Sequence, residues 1–235
     1  MHVLAIVHQR SAGPGVFGEA IRDAGHELDT WPIAESPAPP SDPHGFDAVV
    51  TFGGSMDAHE EDRHPWLRGE KELLAELLDR GRPLMGVCLG SQLLAEAAGA
   101  APQRSSEPEN GWHRVGLTAA GAEDPMLAPL APGFAAFMWH SYEAPLPPGA
   151  TALARSDVCL HAYRIGDGGY GIQFHAEVSA GGAQRWIDDY RSDPDAVRTG
   201  VNPDALRKDT RVAIESWNEL GRGLCGRFLE TVAGR

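Results

Sequence analysis

Short apolar runs and amphipathic stretches alternate through the first hundred residues. HVLAIV (His2 to Val7), FDAVVTFGG from Phe46 and PLMGVC from Pro83 are brief, nearly unbroken apolar runs. That is the pattern of strands buried on both faces of a parallel sheet. HELDTWPI from His26 is read as a further strand, and GVFGEAIRDAG as a helix closed by Gly25. PWLRGEKELLAELLDRG places Leu67, Leu73, Leu74, Leu77 and Leu78 at helical spacing, with Pro65 where a first turn tolerates it and Gly81 past the end. LGSQLLAEAAG supplies the next helix, and SPAPPSDPHG is a Pro-rich loop that continues neither element. This rhythm implies parallel strands joined by right-handed crossovers, in an open sheet covered by helices.

From about Arg114 to Glu177 the character changes to short strands with Pro/Gly-rich connections: RVGLT, FAAFMW, TALAR, VCLHAYRIG and YGIQFH. From Ser179 the chain turns helical, through GGAQRWIDDYRSD and DALRKDTRVAIESWNELGRGLCGRFLETV. No repeat or long linker divides it. The expected architecture is one α/β domain over residues 1–235, an open and mostly parallel central sheet flanked by helices. Its core spans about 1–178 and a helical extension about 179–235.

Composition narrows the function classes. A formal net charge of −13 without any basic cluster excludes a sequence-independent nucleic-acid binder. No apolar run approaches the roughly 18 residues that cross a bilayer, so no membrane partner is expected. The opening MHVLAIVHQRSAGPG has no basic leader and reads as a first strand, not a signal peptide. Three cysteines at wide spacing make no disulfide framework. A cytoplasmic protein with reduced thiols is the expectation.

One of those cysteines sits in a special frame, Gly86-Val-Cys88-Leu-Gly90, between an apolar run and a helix-forming run. A nucleophile elbow holds its reactive side chain on a tight strand-to-helix turn, where neighbours two residues away must be small. The cysteine also falls at a helix N-terminus, which favours thiolate. A thiolate nucleophile needs a base and a group that orients it. GIQFHAEV offers His175 and Glu177 at i and i+2, which share a face if the segment is a strand. The backbone N–H of Leu89, after the nucleophile, is one candidate oxyanion donor; Gly53 or Gly54 in TFGGSMDA could turn a second N–H to the same point.

Taken together, Gly86-Val-Cys88-Leu-Gly90-Ser-Gln92, the Gly53-Gly54 loop and His175-Ala-Glu177 resemble a class I glutamine amidotransferase domain of the Cys-His-Glu type. Within it, MDAHEEDRHPWL and MWHSYEAPLPPGATALARS look like loops of stand-alone relatives of the glutaminase domain of GMP synthase. The resemblance covers the chain to about Glu177. It implies a flavodoxin-like α/β fold of seven or so strands, with Cys88 attacking the side-chain amide of glutamine. His175 would protonate departing ammonia and activate water, and Gln92 would help bind the substrate. His140, in WHSYE, is a candidate substrate contact, with a histidine satisfied inside the fold as the rival reading. Ala176 departs from the proline usual between His and Glu, which questions the rigidity of that dipeptide.

The function expected is hydrolysis of glutamine to glutamate and ammonia, with a separate synthetase as the candidate recipient of the ammonia. A free-standing hydrolase of γ-glutamyl peptides or amines is the alternative, and an inactive regulatory protein on the same fold the third reading. No cofactor is called for. The run DAHEEDRHPW invites a metal reading, but His59 and His64 lack the spacing of a zinc site and its acidic residues precede a helix, so no metal is assigned. Trp186, Tyr190, Trp217 and Phe228 are read as packing, Cys159 as a core residue within a strand, and Cys225 as inert.

Overall fold

The computed structural model describes residues 1–234. The short apolar runs form β1 (His2–Val7), β3 (Ala48–Thr51) and β4 (Leu84–Val87), with β2 (Glu27–Pro32) at the edge. The later strands are β5 (Gln103–Leu117), β6 (Gly133–Glu143), β7 (Thr151–Arg155), β8 (Leu160–Ile165) and β9 (Gly169–Ile172). All join one 9-stranded sheet in the order β2-β1-β3-β4-β9-β8-β7-β5-β6. The half from β2 to β9 pairs parallel, and the half from β9 to β6 pairs antiparallel. The resemblance implied seven or so strands; the sheet has nine, as many as the strand-like runs in the sequence.

Helices cover both faces of the parallel half, and β1 shows why. Its side chains alternate, so that Val3, Ala5 and Val7 enter one core with Val16, Phe17 and Ile21 of α1 (Gly15–Asp23) and Trp217, Leu224 and Phe228 of α7 (Pro203–Ala233). Leu4 and Ile6 enter the opposite core, with Leu67, Leu74 and Leu77 of α2 (Trp66–Asp79) and Leu93 and Leu94 of α3 (Leu89–Ala97). The remaining helices are the short α4 (Ala119–Glu123) and α6 (Pro194–Arg198), and α5 (Ala180–Asp188). Among the described residues no helix is long and apolar enough to cross a membrane.

Three expectations need correction. β5 begins at Gln103, well before the RVGLT run, because its first half is polar and partly exposed and carries no apolar period. β8 begins at Leu160, so Cys159 lies in the turn that enters the strand and not within it. β9 ends at Ile172, so His175 and Glu177 lie beyond the strand.

Candidate active site

Because β4 stops at Val87 and α3 starts at Leu89, Cys88 alone makes the turn between them. It does so at φ 52°, ψ −110°, the one non-glycine residue at positive φ among those described. L-residues avoid this region, so the surroundings must hold it. The backbone is fixed from both sides, Cys88 N–H donating to Ile172 O at 2.8 Å and Gly90 N–H to Phe52 O at 3.0 Å. Both flanking glycines are sterically required: a Cβ on Gly86 would lie 2.5 Å from Gly90 O, and one on Gly90 2.2 Å from Thr51 O.

Past the end of β9 the chain bends at Phe174 but stays tied to the sheet, because Gln173 N–H donates to His161 O and His175 N–H to Phe137 O, both at 2.9 Å. This brings His175 to Cys88 and turns its Nδ1 to Glu177 Oε1 at 2.8 Å. The other Glu177 oxygen is buried with no partner among the described residues, which leaves the imidazole as the main counter-group. Burial alone would lower the His175 pKa; the charge of Glu177, with the interaction with Cys88, overrides it and pushes the value up to about 10. The rings of Trp186 and His175 pack edge to face at a 4.6 Å centroid separation.

The loop from His175 to Val178 lacks the usual proline but is braced through its carbonyls. Trp217 Nε1–H donates to His175 O at 2.9 Å, Val16 N–H to Glu177 O at 2.9 Å, and Asn218 Nδ2–H to Val178 O at 2.7 Å. Two glycines permit this packing: a Cβ on Gly221 would meet Ala176 O at 2.0 Å, and one on Gly15 would meet Glu177 O at 2.0 Å. The helical extension is therefore part of the site's scaffold.

The paired glycines stand directly beside this pair. A Cβ on Gly53 would be 3.0 Å from His175 Cε1 and 3.6 Å from Cys88 Cβ. His8, at the end of β1, donates from Nδ1 to Gly53 O at 3.2 Å and meets Glu70 Oε2 through Nε2 at 2.8 Å. Burial alone would lower the His8 pKa, but Glu70 and the carbonyls of Gly53 and Phe52 hold it above the ordinary histidine value. The Gly53 carbonyl is thus anchored, and in a trans peptide the following Gly54 N–H is turned the opposite way. Leu89 N–H, in the first turn of α3, has no carbonyl partner within its own helix.

Cys88, His175, Gly54, Leu89, Gln92 and His140 all line one cavity of about 770 Å³. Gln92 is largely tied inward, donating from Nε2 to Tyr142 O at 3.0 Å and to Gln173 Oε1 at 3.2 Å. His140 likewise donates from Nδ1 to Tyr142 O at 3.0 Å. Reading the sequence misses His8, Glu70, Trp186 and Trp217 as parts of this site. His8 carries one usable signal, a polar residue at the carboxyl end of a parallel strand, where open α/β sheets bind ligands. Trp186 and Trp217 give none, since packing and site-building tryptophans look alike in sequence. Cys225 is buried against Phe17 O, and burial pushes its thiol up to about 12.

The family model for class I glutamine amidotransferases matches residues 17–189. The glutamine amidotransferase-like protein YfeJ of Salmonella typhimurium is 32% identical over 183 residues, which cover 76% of this chain and 77% of that protein. One subunit of the glutamine-hydrolysing GMP synthase of Ignicoccus hospitalis is 34% identical over 162 residues, covering 68% of this chain and 80% of that one. A glutamine amidotransferase crystal structure from Thermotoga maritima superposes with a TM-score of 0.88 at 28% identity, over 98% of each chain.

Proposed function

We propose, for a chain that belongs to the class I glutamine amidotransferase family, that it hydrolyses the side-chain amide of glutamine through a thioester on Cys88. The observation that carries this reading is the strained turn at Cys88, which sets a thiol beside an imidazole already held by a carboxylate. Backbone strain of this kind persists where function requires a fixed geometry.

In the first step the Cys88 thiolate attacks Cδ of glutamine, and the carbonyl oxygen takes up the displaced electron pair. The N–H groups of Leu89 and Gly54 are the donors available to that oxyanion. His175, as imidazolium, gives its proton to the departing nitrogen; the C–N bond breaks, ammonia leaves and the thioester remains. Neutral His175 then takes a proton from water, whose oxygen attacks the thioester carbon. Collapse expels the thiolate and releases the new carboxylic acid, whose proton passes to solvent to give glutamate; His175 keeps the proton taken from water, so both groups are back in their starting state. Glu177 stays ionised throughout, holding the ring's tautomer and stabilising its charged form.

Likeness to part of a GMP synthase supports a separate synthetase as recipient of the ammonia. A second reading, hydrolysis of γ-glutamyl peptides or amines without a partner, also draws on particular observations. Gly53 O is already anchored to His8, so its loop has no need of a docked partner to set it. The cavity of about 770 Å³ also exceeds what one glutamine fills. The test is turnover of the isolated chain on glutamine and on γ-glutamyl dipeptides, reading ammonia and glutamate. Slow glutamine hydrolysis that accelerates with a synthetase supports the first reading; brisk cleavage of a γ-glutamyl dipeptide replaces it with the second. Failure on all substrates by protein that a glutamine-like diazoketone does not label at Cys88 overturns both.

A further inference from the structure

Starting at His140 in the cavity wall and running behind it lies a second group of chemically competent side chains that the proposed reaction does not use. Glu109 on β5, His140 on β6, Cys159 in the turn entering β8 and His161 on β8 are all buried, and one donor atom from each lies within 4.8 Å of the others. The antiparallel register places Glu109 directly opposite His140, and Cys159 and His161 approach from the neighbouring hairpin.

The spacing of these donors is informative. His140 Nε2 and His161 Nε2 stand 3.1 and 3.2 Å from Glu109 Oε2. Cys159 Sγ stands 3.6 Å from His161 Nε2 and 3.7 Å from Glu109 Oε2. Around a tetrahedral zinc ion, with bonds of about 2.0–2.2 Å to nitrogen and oxygen and about 2.3 Å to sulfur, ligand atoms stand about 3.3–3.6 Å apart. The cluster is close to a preformed coordination shell.

His140 supplies an independent observation. The Tyr142 carbonyl can only accept, so the proton of a neutral His140 ring sits on Nδ1 and Nε2 is left as a lone pair. Nε2, on a side chain only 1% exposed, faces a Glu109 carboxylate oxygen at 3.1 Å without the alignment of an ordinary hydrogen bond. Two acceptors pointed at each other across a buried gap call for a cation between them. Holding Nδ1–H on a backbone carbonyl is also how metal-binding histidines are commonly oriented. Charge fits as well. A carboxylate, a thiolate and two neutral imidazoles cancel the charge of a divalent ion, as burial requires.

We propose that Glu109, His140, Cys159 and His161 form a closed tetrahedral site for a zinc ion. Binding replaces the Cys159 thiol proton, which goes to solvent, by a Zn–S bond, and displaces the Ser156 hydroxyl that now lies 2.8 Å from His161 Nε2. With all four positions taken by the protein, the ion is structural and not catalytic. It ties β5, β6 and the turn into β8 together behind Trp139 and Tyr142. Those residues' carbonyls contact Cys88 Sγ and Gln92 Nε2.

The test titrates the full chain, stripped with a chelator, with Co²⁺ and then Zn²⁺. The expected result is one Co²⁺ per chain with intense visible bands of tetrahedral coordination and a thiolate-to-cobalt charge-transfer band, all abolished by one equivalent of Zn²⁺. Cys88→Ala should retain every one of these signals, so that loss of amidase chemistry and loss of the metal site are separate outcomes. Cys159→Ser should lose the charge-transfer band and bind Zn²⁺ more than about 100-fold less tightly, since even a change to a residue that merely supports a ligand commonly costs 10–100-fold. Should Cys159→Ser fail to fold, the wild type and Cys88→Ala decide, with Zn²⁺ expected to raise the melting temperature of both. Absence of tetrahedral bands overturns the site. So does a charge-transfer band that disappears in Cys88→Ala, or one that survives in folded Cys159→Ser.

Discussion

The molecule holds two buried groups built from the same residue types, and their geometries differ. Cys88, His175 and Glu177 form a line, with the imidazole between thiol and carboxylate. Cys159, His161, His140 and Glu109 form a shell, each donor near every other around a common point. A line lets the imidazole exchange protons at the thiol end while the carboxylate holds it in place; a shell is the arrangement that a cation needs. Backbone separates them further. Cys88 sits on a strained turn at a helix N-terminus and opens on a cavity. Cys159 is as buried as Cys88 but does not line that cavity, and desolvation together with the nearby Glu109 raises its thiol well above the ordinary cysteine range. Composition alone does not make a thiol reactive; access and the charge it faces do.

The sharpest way to break this contrast is to remove each sulfur in turn. Cys88→Ala should reduce glutamine hydrolysis by something on the order of 10⁶-fold, the cost of losing a nucleophile. In the native wild type, iodoacetamide followed by peptide mapping should find Cys88 modified first. Earlier labelling of Cys159 would erase the distinction between line and shell.

Next in size is Glu177→Gln, expected to lower kcat about 10⁴-fold, as loss of an orienting carboxylate does elsewhere. It should also move the alkaline limit of activity, set by an imidazolium that persists to about pH 10, to lower pH. The sign for stability follows from the same shift. A histidine pKa raised from 6.5 to about 10 stabilises the fold fully below pH 6.5, and that contribution is lost as pH rises towards 10. The difference in unfolding free energy between wild type and Glu177→Gln should therefore shrink across this window. A constant difference would mean that the pair is not charged as described.

His8→Ala frees the Gly53 carbonyl and should cost about 10- to 100-fold in kcat, less than the 10²–10³ of an oxyanion donor lost outright. An unchanged kcat would show that the glycine loop holds its orientation unaided. The smallest effect belongs to Trp217→Phe, which keeps an aromatic ring but deletes the donor to His175 O. A loss of about 1 kcal/mol in stability is expected, with kcat falling by tenfold or less. Thermal melts and steady-state rates measured together would separate the two.

How much of this could be read from the chain alone varies by residue. The turn at Cys88 is legible because its geometry excludes every residue but glycine at 86 and 90, and the sequence has to record that exclusion. His175 and Glu177 are legible as a pair, although the segment that carries them is not the strand their spacing suggests. The parallel strands announce themselves through unbroken apolar runs. β5 does not, because half of it is exposed and polar. The shell around Glu109 is invisible in one dimension. Its members are spread from position 109 to 161, and the pairing of β5 with β6 and β7, and of β7 with β8, brings them together. The His8 and Trp217 contacts likewise exist only after distant segments meet.

The brace that α7 places on the His175–Val178 loop has a consequence in time. A ribosome delivers Cys88, His175 and Glu177, and every strand of the sheet, before it delivers Trp217, Asn218 and Gly221. A domain folds as a unit, its earlier segments waiting for the later ones, and a nascent chain that has reached residue 200 already contains each candidate reacting group. It still lacks two of the donors that fix the loop's carbonyls, and the glycine against which Ala176 O rests. The alignment of imidazole and thiol is thus completed late in synthesis, by a helix that contributes no reacting atom.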